Sequence, residues 1–171
     1  MLADIDVDVF CLFVQWMYKN SLNNKYGQPA YQHRLMALWV LGNRLQIPSL
    51  QNDAIDMLEE RRKLDQSIQK KTFRYVYANT TAGVTIRRYL VDVCYPIIDN
   101  FDQEEIKEFF PIEMLEDICK LDKINSGKKK NKVGMDMDVG TALIMEKYHV
   151  GKDGSGRGSA SWSSKRSNLS S

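Results

Sequence analysis

The chain is expected to be mainly α-helical, and three observations point there. Apolar residues recur at i, i+3, i+4 and i+7 through most of residues 7–120. No stretch alternates apolar and polar residues for more than three or four positions, so no strand of useful length is written in. Pro48, Pro96, Pro111 and Gly83 break the pattern into helix-sized pieces.

The first helix is predicted from about Val7 to Lys19. Asp6 suits the N-cap, and Asp8 favours the positive end of the helix dipole. Phe10, Phe13, Val14 and Met17 form one apolar face, and Val9, Leu12 and Trp16 form a second. A helix apolar on two sides is expected to be central and buried. Residues 20–28 form a polar loop, and Pro29 precedes a second helix over about Ala30 to Leu45. That helix is expected to bury Leu35, Leu38, Trp39, Gly42 and Leu45. Gly42 costs about 1 kcal/mol relative to Ala in a helix, which a close helix–helix approach would explain.

Ile47-Pro48-Ser49 is the next break, because Pro48 has no amide hydrogen to continue a helix. A third helix, about Ser49 to Lys63, buries Leu50, Ala54, Leu58 and either Met57 or Ile55. It ends in Glu59-Glu60-Arg61-Arg62-Lys63, expected as a solvated charged face. A fourth segment, Asp65 to Ala78, carries Phe73, Val76 and Tyr77 on one side. After a polar turn around Gly83 comes a helix from Ile86 to Tyr95. Asp102 with Glu105 suggests a capping box for a helix through Phe110. Pro111 starts a last helix to about Lys120, with Leu115, Ile118 and Cys119 inward.

Composition changes near Asn125. Residues 1–124 hold 15 Lys/Arg and 18 Asp/Glu, a net of −3, whereas residues 125–171 hold 9 and 4, a net of +5. The latter include Lys128-Lys129-Lys130, and 12 of the last 21 residues are Ser or Gly. Such a segment has too little apolar surface to offset its chain entropy, so a flexible basic tail is expected. Within it, Val139 to Val150 is a candidate short helix, marginal by itself.

Catalytic and cofactor chemistry finds no support. The two histidines, His33 and His149, lie far from any cysteine, so no zinc cluster is spelled out, and each is expected to be a surface or half-buried polar residue. No nucleophile elbow is present, and Gly154-Ser155-Gly156-Arg157-Gly158 has neither the strand nor the helix of a phosphate loop. No catalytic, cofactor-binding or metal residue is assigned, and no cofactor is expected. No apolar run reaches the roughly 18–20 residues of a membrane span. Cys11, Cys94 and Cys119 are spread apart in apolar runs and are expected as reduced, buried thiols of an intracellular protein, in cytoplasm or nucleus.

Two stretches carry a family resemblance. Asp6-Val7-Asp8-Val9-Phe10 followed by Phe13-Val14-Gln15-Trp16-Met17-Tyr18 resembles a helix of BTB/POZ domains. Trp39-Val40-Leu41-Gly42-Asn43-Arg44-Leu45, Ile47-Pro48 and Leu50-Gln51-Asn52-Asp53-Ala54-Ile55-Asp56 resemble the helix pair that closes such domains, in wording nearest to fungal members. The segments 73–80 and 87–94 are similar to the helical extension those proteins often carry. The resemblance covers about residues 2–120 and implies this organisation: a partial BTB/POZ-like domain over 1–64, a helical extension over 65–124 and the tail over 125–171.

The resemblance also implies a non-enzymatic adaptor that binds other proteins. Family members self-associate, link substrates to cullin-type ubiquitin ligases or act in transcriptional regulators. Phe10, Phe13, Trp16, Tyr18, Leu45, Ile47, Pro48 and Leu50 are the motif residues it singles out. The family's front half, with most of its small sheet and much of its dimer surface, is expected to be missing from this sequence, since Met1 falls just before the first helix. Without that cover the first helix would expose an apolar face, so the isolated chain is expected to be poorly stable or to self-associate. Two alternatives stand beside this. The +5 tail suggests a nucleic-acid-associated regulator, although no aromatic interleaving supports it, or the chain is a truncated gene product without independent function.

Overall fold

Asp6 opens the first helix as its charge and short side chain require. In a computed structural model that describes residues 6–23, 27–126 and 147–151, Asp6 Oδ1 accepts from the Asp8 amide at 2.7 Å and caps α1 (Val7–Lys19). Asn20, in the left-handed conformation, ends it. An antiparallel bridge, Asn23 to Pro29, ties the loop that follows. Among the described residues no strand is formed and the fold is mainly helical.

The next two helices, α2 (Gln32–Leu45) and α3 (Pro48–Asp65), form a tight hairpin and pack on each other more extensively than any other pair. Only Gln46 and Ile47 separate them. Gln46 adopts a left-handed φ of 55°, and Ile47 N returns to Gly42 O at 2.9 Å, which satisfies a terminal carbonyl of α2. Pro48 then occupies the first turn of α3, where its missing amide hydrogen costs nothing. At Gly42 the two helices approach closely: a β-carbon there would lie 3.1 Å from Gln51 Cγ and 3.4 Å from Leu50 Cδ2. The close approach expected from the sequence is present.

The expected helix from Asp65 to Ala78 is corrected. α3 runs on through Asp65, and Gln66 stops it with a φ of 49°. Residues 67–69 are then captured by the buried carboxamide of Gln32. Its Nε2 donates to Ser67 O at 2.8 Å and Asp65 Oδ2 at 2.9 Å, and its Oε1 accepts from Gln69 N at 3.0 Å. A short 3-10 helix, Lys70–Thr72, leads into α4 (Phe73–Ala78). A tertiary hydrogen-bond site thus breaks a helix that local pattern had joined.

The C-terminal end of α4 is held by Arg87, a buried cation of α5 (Thr85–Cys94). Its guanidinium donates to Tyr77 O at 2.6 Å and to Thr80 Oγ1 at 2.9 Å. Positive charge there meets the negative end of the helix dipole. Tyr95–Asn100 continues as a 3-10 helix that contains Pro96. Asp102 caps α6 (Gln103–Phe109), its Oδ1 accepting from Glu105 N at 2.7 Å. The Glu105 carboxylate pairs with Lys70 and so does not close the reciprocal half of the box. α7 (Ile112–Ser126) extends beyond its expected end near Lys120.

One hydrophobic cluster joins these pieces. Leu38, Trp39, Leu50 and Leu58 of the hairpin share it with Phe73, Tyr89, Leu90 and Met114 of the later helices. The segments 1–64 and 65–124 are therefore covered by a common core.

Other expectations need correction. α1 is not buried on both sides: only Val9 and Leu12 are buried, because the helix packs at the edge of α2. Leu45 is 38% exposed rather than buried, since it sits in the last turn of α2, where the chain turns away. Cys11 and Cys119 are exposed, each on the outer side of a helix, and only Cys94 lies in the core. Glu59 leaves the supposed solvated charge run and turns inward, at 8% exposure, because Tyr89 and Arg62 satisfy it. The candidate helix 139–150 is not formed over its last residues: Lys147 and Tyr148 form a turn and Val150 is extended, while 139–146 lies outside the described residues.

Candidate functional site: the outer face of the first helix

With 3.6 residues per turn, Val7, Phe10, Cys11, Val14, Met17 and Tyr18 fall within an arc of about 120° on α1. None carries a charge. Val7 is 75% exposed, Phe10 46%, Met17 53% and Tyr18 83%. The polar residues Asp8, Gln15 and Lys19 fall on one flank of this stripe, and Val9, Leu12 and Trp16 face the body. The result is a continuous apolar surface two and a half to three turns long.

Two polar contacts fix the rotation of α1 that produces it. Trp16 Nε1 donates to Asp53 Oδ2 of α3 at 2.7 Å. On the flank, Arg34 of α2 forms an ion pair with Asp8. Gln15 adds a third tie, its Nε2 donating to Ser21 O at 3.1 Å and Asn23 O at 2.7 Å. Phe13 stacks on Trp16 with ring centroids 6.4 Å apart, and Phe10 tilts against Phe13 at the same separation. An aromatic ladder thus runs from the half-buried seam to the exposed stripe.

A groove of about 280 Å³ follows the other flank. Val9, Ala37 and Leu41 supply apolar lining, and Arg44, Lys71 and the Asp8-paired Arg34 supply positive charge against the one lining carboxylate, Asp6. Arg44 is oriented by the Asn79 carboxamide. His33 also lines the groove, and burial, with help from Arg34, holds its pKa below the ordinary histidine value. The imidazole therefore adds little charge near neutrality. Among the described residues no group of three or more His, Cys, Asp or Glu side chains is arranged to hold a metal ion.

The eight motif residues do not form a single surface. Phe10 and Tyr18 lie on the exposed stripe, with Phe13 half-buried beside it. Trp16 is half-buried and bonds to Asp53. Ile47 and Pro48 form the half-buried hairpin turn, Leu50 is fully enclosed in the core and Leu45, at the end of α2, is exposed. Residues of the stripe that the motif omitted are Val7, Cys11, Val14 and Met17. Val14 and Met17 belong to a face of a helix expected from the sequence to be buried. Periodicity counts apolar faces, but it does not say which of two faces the body covers.

Among the described residues no helix is long and apolar enough to cross a membrane. No family model, no curated protein and no solved structure matches the chain.

Proposed function

We propose that the chain is a non-enzymatic protein–protein interaction module, a BTB/POZ-like adaptor that docks a partner through the outer face of α1. The observation that carries this reading is the uncharged stripe of Val7, Phe10, Met17 and Tyr18, exposed and held in orientation by the Trp16–Asp53 bond, with Val14 half-buried between them. Contiguous exposed apolar surface with a polar border is the mark of a partner site. The spacing i, i+3, i+7, i+10 is that of a helix that lies against a second helix or in an apolar groove. The cationic groove beside it adds selectivity for acidic groups on the partner's edge. A place in a cullin-type ubiquitin ligase or a transcriptional regulator is what the BTB/POZ resemblance implies.

The test is a paired pull-down with the full chain and its Phe10→Glu/Met17→Glu variant, both checked for the same thermal transition. The proposal expects specific partners of the unmodified chain to be lost from the variant. An identical set of partners for both proteins refutes it.

A further inference from the structure

Residues 147–150 lie against α3 and α5 as a bound peptide lies in a receptor. Tyr148 and Val150 are buried. The Tyr148 ring meets Tyr89 edge to face, with centroids 5.3 Å apart and an interplanar angle of 87°. Its hydroxyl donates to Asp92 Oδ2 at 2.6 Å, and Lys147 Nζ stands 2.8 Å from the same oxygen. His149 Nε2 lies 2.8 Å from Asp56 Oδ1, placed for its N–H to donate to the carboxylate. The main chain of Val150 is read at both ends by one side chain: its amide donates to Asn52 Oδ1 at 2.6 Å, and Asn52 Nδ2 donates to its carbonyl at 3.2 Å.

That last pair is decisive for the chemistry. A carboxamide that both accepts from an amide and donates to the carbonyl of the same residue reproduces one rung of a β-ladder. It recognises extended backbone of any sequence. Asn52 and Asp56 are one helical turn apart, so α3 presents both along one line. Selectivity then comes from the side-chain positions. Asp92 selects a cation and a phenol hydroxyl, Tyr89 an aromatic ring, Asp56 a hydrogen-bond donor and the last position a buried aliphatic. Two carboxylates at the site would repel an acidic segment.

We infer that this cleft of α3 and α5 is a recognition site for a short extended peptide of the order cation, Tyr, His, β-branched aliphatic, that residues 147–150 fill it in cis, and that a partner protein presenting the same four-residue chemistry competes for it. The contacts join residues 55 to 98 positions apart in sequence. A tethered ligand has an effective concentration in the millimolar range, so a modest intrinsic affinity keeps the site filled. A free competitor then binds with an apparent affinity reduced by that occupancy. The inference does not rest on the α1 face.

The test uses a fluorescein-labelled peptide with the sequence of residues 145–152 and the full chain carrying Tyr148→Ala, which disables the tethered copy. The expected result is saturable binding to this variant, at least tenfold weaker binding to the unmodified chain, and at least tenfold loss when Asn52→Ala is added. Absence of binding to the folded variant, equal binding of a scrambled peptide, or no effect of Asn52→Ala overturns the inference. Should Tyr148→Ala fail to fold, trypsin cleavage of the unmodified chain and of Asn52→Ala decides. Release of Val150 is expected to speed cleavage after Lys147 at least tenfold while cleavage within the helical body stays unchanged; equal rates after Lys147 refute the site.

Discussion

Trp16 and Asp53 are joined by a hydrogen bond of 2.7 Å across 37 positions of sequence, from the indole N–H of α1 to a carboxylate oxygen of α3. The acceptor is a carboxylate and the bond is half-buried, and hydrogen bonds to an ionised partner are stronger than neutral ones. It also sets which side of α1 faces the body. With Trp16 turned to α3, Phe10, Met17 and Tyr18 have no alternative but solvent or a partner.

Asp53→Ala leaves the indole N–H without its acceptor and loosens α1. The expected loss of stability is about 1–3 kcal/mol, read from the urea midpoint. Hydrogen exchange of the α1 amides is expected to speed up ahead of the global transition, because α1 is attached to the hairpin at its edge. An unchanged midpoint would show that the bond contributes nothing net.

The exposed stripe makes the isolated chain prone to self-association. Sedimentation velocity is expected to show species heavier than a monomer that grow with protein concentration. Phe10→Glu with Met17→Glu is expected to restore a monomer. Met17→Glu is expected to change stability by no more than about 0.5 kcal/mol, whereas Phe10→Glu also gives up its ring contact with Phe13 and is expected to cost about 0.5–1.5 kcal/mol. A unmodified chain that stays monomeric at high concentration would contradict this.

Gly42 sits at a close approach of α2 and α3, with Gln51 Cγ 3.1 Å from a hypothetical β-carbon. Gly42→Val needs more room than the side chain of Gln51 can yield, since Gln51 N is only 3.4 Å away. Overpacking of this kind costs about 1–3 kcal/mol. Gly42→Ala is the informative companion, because its helix-propensity gain of about 1 kcal/mol opposes a smaller clash. Calorimetry is expected to rank unmodified and Ala chains together and the Val chain well below.

Glu59 accepts from Tyr89 at 2.8 Å and from Arg62 twice at 2.7 Å. Burial pushes its pKa up, but the hydrogen bonds from Arg62 and Tyr89 outweigh that and hold it below the ordinary glutamate value. A carboxylate whose pKa is lower folded than unfolded adds stability that is complete above the unfolded value of about 4.3 and declines as pH falls below it. Glu59→Gln is therefore expected to destabilise at pH 7, with the gap from the unmodified chain closing as pH approaches 3. A gap that stays constant with pH would exclude the ionised carboxylate as its source.

The three thiols are expected to react in two classes. Cys11 and Cys119 are exposed, whereas burial pushes the Cys94 thiol up to about 12. Only thiolate attacks a disulfide reagent. Titration with a chromogenic disulfide at pH 8 is expected to modify two cysteines promptly and the third only after denaturant is added. Three prompt equivalents would mean that the packing around Cys94 opens readily.

The helices and most of their ends were legible because they depend on near neighbours. Asp6, Pro48 and Asp102 act within a turn of themselves, and Gly42 announced a close contact through its cost. The break at 66–69 was not legible, since Gln32, more than thirty positions away, supplies the hydrogen bonds that compensate for it. The same is true of Glu59, charged in a charged run and buried only because Tyr89 meets it.

Sequence alone determined that the chain is helical, where its acidic body meets a basic end, and that α1 is apolar around most of its circumference. Tertiary structure decided which apolar face of α1 is spent on the body, because Trp16 finds its acceptor on α3. It also decided that Tyr148 and Val150 join the core, since the donors and acceptors that hold them lie on α3 and α5, 55 or more positions away. Periodicity reports the amphipathic character of a segment, but the choice of partner is a long-range fact that only the assembled helices contain.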